Sequence, residues 1–160
     1  NARATEGVVI EPGSVATTLL NVRSKGHWIF TTVAAASVLG LVVLRCFTTP
    51  DPQGHGTHQQ LGLPPCSMMQ LTGFPCPGCG VTTAASYLVH GDWKQAVVTQ
   101  PFGALLAVGA VSIFLWAMIE TLRGRDAYAD FRRFVRPWMY VGLGVAMLAA
   151  WAYKIAALRG

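Results

Sequence analysis

Three long apolar runs organise this chain: Trp28 to Phe47, Val97 to Ile119 and Trp138 to Leu158. Each is long enough to cross a hydrocarbon core, which takes about 20 helical residues. The pattern predicts an all-α integral membrane protein with spans over 28–47, 97–119 and 138–158. A tail over 1–27 precedes a single three-helix membrane domain over 28–160. Amphipathic side chains edge the runs as anchors should: Trp28 and Trp93 near two starts, Arg45 near the first end, Trp138 and Tyr140 opening the third. Lys154, near the end of the third run, is placed to snorkel towards the surface. The first run lacks a small-residue cleavage site at its end and is expected to stay in the protein. In the tail, Pro12-Gly13-Ser14 predicts the start of a short surface-lying helix through Leu20.

Residues 48–96 interrupt the apolar pattern with a polar loop rich in cysteine, glycine and proline. Val81 to His90 reads as a short surface helix stopped by Gly91. Asp92 and Gln95 have capping-box spacing and are expected to start the second span. Gln100-Pro101 would then fall about one turn inside that span, where the missing proline N–H predicts a kink. On the third run, Gly142, Ala146 and Ala150 recur every four residues, a spacing that permits close helix packing.

Composition agrees, since 52% of residues are hydrophobic and 12% charged, against about 25% charged in soluble domains. The formal charge of +5 is concentrated in five arginines between Arg123 and Arg136, whereas the cysteine loop holds only Asp51, Asp92 and Lys94 as charged residues. Basic loops stay cytoplasmic. The N-terminus is therefore expected in the cytoplasm and the cysteine loop on the extracytoplasmic side of a bacterial inner membrane. No aromatic platform for bases accompanies the arginines, so no nucleic acid is expected as a partner. The expected partners are the lipid bilayer, with its anionic headgroups near the arginines, and other transmembrane subunits.

Candidate chemistry sits in Pro65 to Gly80, which holds Cys66, Cys76 and Cys79, while Cys46 ends the first run on the same side. A C-P-x-C-G turn points two thiols at one place while the following glycine, Gly80, frees backbone N–H groups to face the sulfurs. Three readings stay open. Four thiols on an oxidising side can form structural disulfides, in pairings that spacing does not choose. A tetrahedral site, zinc being the natural metal, would draw on Cys66, Cys76 and Cys79 with Cys46, His55 or His58 as the fourth donor. Thiol exchange would use Cys76 as attacking and Cys79 as resolving thiol, with Cys66 or Cys46 relaying electrons. Attached c-type haem does not fit, because Gly80 rather than histidine follows Cys79. No hydrolase triad, paired carboxylates or phosphate loop appears, and no span carries an ionisable residue at its centre.

Thr72-Gly73, Cys76-Pro77-Gly78-Cys79-Gly80, Thr82, His90-Gly91-Asp92, Ala96 and Pro101 before a long apolar run resemble, in that order, a family of small bacterial membrane proteins. That family is described only as a domain of unknown function. The resemblance covers roughly residues 62 to 120 and implies a compact helical membrane protein with a cysteine motif and no established activity. The chain departs from the family pattern at Thr83, usually arginine, and Gln100, usually asparagine. The first departure removes a positive charge beside the thiols. The expected function is a non-enzymatic accessory or assembly subunit of a membrane complex, with a cysteine loop held by disulfide or metal. The alternative is a membrane thiol-disulfide oxidoreductase.

Overall fold

The computed structural model describes residues 24–159. The short helix expected from Pro12 to Leu20 lies outside them. Helix α1 runs over Lys25–Phe47, and Ser24 caps it by accepting the His27 N–H on Oγ at 3.2 Å. A 3-10 turn at Thr57–Leu61 and α2 at Ser67–Thr72 follow in the cysteine loop. Next come α3 at Val81–Val89, α4 at Trp93–Thr99 and the second long helix, α5, at Pro101–Leu122. A short α6 at Ala127–Phe134 lies within the arginine loop, and α7 runs over Pro137–Arg159. Helices α1, α5 and α7 are long and apolar enough to cross a membrane.

The second span begins at Pro101, not Val97. Gln100 is extended, with φ −162° and ψ 99°, and it both ends α4 and caps α5. Proline at the first helical position needs no N–H partner and has its φ already set for a helix. The expected kink is thus a complete break. Asp92 does cap a helix, its Oδ1 accepting the Gln95 N–H at 3.0 Å, but that helix is α4. The other half of the capping box is not made, since the Asp92 N–H bonds to Tyr87 O at 3.0 Å.

Helix α3 is not a surface helix. Thr83, Ala84, Ala85 and Ser86 are buried, and Ala85 packs with Leu44 of α1 and Ala107 of α5 into the apolar core. Small residues let the backbones meet closely. A Cβ on Gly103 of α5 would come within 2.8 Å of Val81 Cα. Hydroxyls complete the inner face, with Thr48 Oγ1 and Ser86 Oγ 3.2 Å apart and Thr57 Oγ1 donating to Thr83 Oγ1 at 2.9 Å. Residues 48–100 therefore form a folded cap that drives one helix between α1 and α5.

The two ends of the bundle carry different chemistry. At one, buried His27 accepts the Ala127 N–H on Nδ1 at 3.2 Å, and the Ser24 N–H donates to Asp126 Oδ2 at 3.0 Å. The start of α1 and the arginine loop thus share an end. At the other, Trp151 Nε1 of α7 donates to Pro75 O at 2.8 Å, and Tyr153 OH donates to Val98 O at 2.9 Å. The cap and the C-terminal half of α7 share that end.

Candidate functional site: the cysteine cap

Cys66 occupies the N-cap of α2 and Cys76 lies in the segment beyond that helix, so the turn of α2 brings the two back to each other. The two thiols are near enough for each to shift the proton affinity of the other. Cys79 follows in a tight turn closed by its N–H on Cys76 O at 2.9 Å and is buried. Cys66 and Cys76 both act on the Cys79 thiol, and Cys66 and Cys79 line one small cavity. Cys46 is exposed on the last turn of α1 and is not among the groups that shift the other three.

The three sulfurs differ electrostatically. The Cys66 sulfur closes no aligned cap hydrogen bond. It nevertheless faces the Met69 N–H, which holds its thiol below the ordinary value, with the Cys76 thiol and the Met68 N–H helping against burial. Burial pushes Cys76 up, and its bond to Cys66 adds to the rise. Cys79 is pushed up to about 11 by burial, then by Cys76 and Cys66, with the charge of Lys154 opposing. These directions give Cys66 the larger thiolate fraction of the two near neutral pH, whereas the expected attacking thiol is Cys76. In the reduced protein Cys66 should be alkylated first and Cys79 last at pH 8. Its rate should level off at a lower pH than that of an ordinary thiol. Timed alkylation with peptide mapping checks this, and Cys76 or Cys79 reacting first would contradict it.

His55 and His58 come to the same place. Together with Cys66, Cys79, Met69 and Gln70 they line a small cavity of about 180 Å³. His58 Nε2 lies 3.1 Å from Pro64 O, so that nitrogen donates a proton to the carbonyl. Among the described residues, however, no group of three or more His, Cys, Asp or Glu side chains is disposed to hold a metal ion. The donors proposed for zinc share a neighbourhood without converging on a point.

Lys154 does not snorkel. It is buried, with its Nζ donating to Gly54 O at 3.0 Å and to Thr99 O at 3.2 Å. A positive charge therefore does stand beside the thiols, supplied by α7 rather than by position 83. Gly80 makes that approach possible: its φ is +89°, and a Cβ there would lie 2.7 Å from Gly54 O and 3.4 Å from Lys154 Nζ. Gln100 is fully buried against the same cluster, its Nε2 reaching Pro77 O at 3.4 Å. The signal for Lys154 was present in the sequence as a lone cation within an apolar run.

Residues 66–114 match the family model described as "Protein of unknown function (DUF2752)". No curated protein and no solved structure matches the chain. The DUF2752 match takes in the cysteine trio, α3, α4 and the first half of α5. Lys154, Gly54 and both cavity histidines fall outside it. The matched segment is thus the part that inserts α3 and carries the thiols, while the flanking spans clamp it in place.

Proposed function

We propose that this chain is a non-enzymatic accessory subunit of a membrane complex, its cap closed by a Cys66–Cys76 disulfide. The cap faces the extracytoplasmic side of a bacterial inner membrane, and the arginine loop faces the cytoplasm, as the positive-inside rule requires. The observation that carries the reading is the way α7 meets the rest of the bundle. Its C-terminal half is fastened to the cap, and Ala150 is buried. In its N-terminal half, a Cβ on Gly142 or Gly144 would meet nothing within 4 Å. Between α5 and α7 runs an apolar groove of about 360 Å³ lined by Pro101, Phe102, Leu105, Ala146, Ala149 and Tyr153. Small residues on an open helix face are what a close-packed transmembrane partner uses.

Native electrophoresis of mildly solubilised membranes tests this. The chain should migrate well above its own mass, and Gly142→Phe should release it while leaving the thiol map unchanged. Migration of the wild-type chain as a lone subunit, or indifference to Gly142→Phe, would contradict the reading. One observation favours thiol exchange as a second reading: Cys66 combines a lowered thiol with a neighbouring thiol that acts on it. In that case Cys66→Ser abolishes exchange while the complex survives, whereas in the accessory reading Cys66→Ser and Cys76→Ser both weaken assembly.

A further inference from the structure

We propose that the groove between α5 and α6, at the arginine end of the bundle, binds an anionic glycerophospholipid, with an acyl chain against Trp116 and Phe131 and its phosphate on Arg132 and Arg136. The groove has a volume of about 330 Å³ and is lined by Ser112, Ile113, Trp116, Phe131 and Phe134. Its walls are almost wholly apolar and aromatic. Phe131 is fixed from behind by Phe30, at 4.9 Å between ring centroids, and by Trp116 at 6.1 Å. The wall is therefore built by packing and does not depend on a partner to hold it.

Charge selects the headgroup. Glu120 pairs with Arg123 at 3.5 Å and Arg125 at 3.2 Å. Asp130 pairs with Arg125 at 3.0 Å and Arg133 at 3.9 Å. Among the described residues, Arg132 and Arg136 have no carboxylate partner. Arg132 lies 5.7 Å above the Tyr128 ring, and both arginines are exposed. Within the sequence they bracket Phe134, which is 72% exposed at the groove. The loop's two arginines without a carboxylate partner thus flank, along the chain, a residue of the groove wall.

Depth fits the same occupant. Trp138 and Tyr140 open α7 and are largely exposed, as aromatic residues are at the headgroup level. Ser112 lies ten residues before the end of α5, about 15 Å deeper at 1.5 Å per residue. The groove therefore runs from the headgroup layer into the hydrocarbon, the path of a single acyl chain. Helix α6, with Tyr128, Phe131 and Phe134 at three-residue spacing and arginines between them, has the make-up of a helix lying in the interface.

Native mass spectrometry of the full chain in detergent tests the site, with phosphatidylglycerol and phosphatidylcholine of identical acyl chains as probes. Phosphatidylglycerol should be retained on the order of tenfold better. The double variant Arg132→Gln/Arg136→Gln should reduce it to the phosphatidylcholine level, and Ser112→Trp, which fills the groove, should lower retention of both lipids. Excess inorganic phosphate should not displace the bound lipid. If Ser112→Trp fails to fold, Phe134→Ala removes an exposed wall and should also lower retention. Equal retention of the two lipids by the wild-type chain overturns the proposal, as does a preference that survives the double variant or the groove variants. Displacement by inorganic phosphate overturns it too, because the acyl chain would then contribute nothing.

Discussion

Replacing Lys154 with methionine is expected to unlatch the cap from α7. The side chain keeps its length and apolar stem, but Gly54 O and Thr99 O lose their shared donor. Each is a buried carbonyl, and leaving one unpaired costs about 1–3 kcal/mol. Removing a buried cation gives part of that back, because its desolvation no longer opposes folding. The net loss should be roughly 2–4 kcal/mol, seen as a lower thermal midpoint in detergent. A chemical readout separates latch from mere stabiliser. Cys79 is protected by burial and should become alkylated faster in Lys154→Met, although losing the nearby positive charge would by itself make its thiol less reactive. The exposed Lys94→Met serves as control and should change neither quantity. Unaltered protection of Cys79 would show that the cap holds without the lysine.

Gly80→Ala should be at least as damaging, for a backbone reason. At φ +89° an L-residue pays about 1–2 kcal/mol for the left-handed conformation alone. The added methyl would also stand 2.7 Å from the Gly54 carbonyl oxygen, so the carbonyl that accepts from Lys154 must shift. The two penalties together should exceed about 3 kcal/mol and disturb the same latch. Gly78→Ala is the matched comparison two residues earlier. Its φ is not positive, and its Cβ would meet nothing within 4 Å. Measured expression and thermal midpoint should therefore be near wild type for Gly78→Ala and severely reduced for Gly80→Ala. Equal effects would mean that the cap tolerates displacement of Gly54.

The three spans were legible because length and hydropathy alone identify a helix that must bury its backbone in lipid. Their boundaries were less so. Only Thr99 and Gln100 part Val97 and Val98 from the apolar run that follows, and it is the extended conformation of Gln100 that separates α4 from α5. Helix α2 and the 3-10 turn are too short to show a periodicity. Helix α3 was found at nearly its true ends, yet its insertion was not. Its buried residues are alanine, threonine and serine, which carry no hydropathy signal and are buried here through hydroxyl pairs and close backbone approach.

The candidate site divides in the same way. The C-P-G-C spacing drew attention to Cys76 and Cys79, because sequence shows local neighbours first. The mutual influence of Cys66 and Cys76 depends on α2 folding the chain back, and no spacing rule reveals it. Lys154 lies 75 residues beyond Cys79 in the sequence, and its position near a helix end suits snorkelling and inward burial equally well. His55 and His58 line one cavity with Cys66 and Cys79, but no tight donor set results among the described residues.

The most direct test of the account is the native disulfide map of the detergent-purified chain, obtained by alkylation without reduction, peptide mass analysis and zinc quantification on the same sample. The account predicts one linked peptide joining Cys66 to Cys76, with Cys46 and Cys79 alkylated after denaturation and no stoichiometric zinc. A Cys76–Cys79 linkage, or four thiols released only on removal of about one zinc per chain, would contradict it.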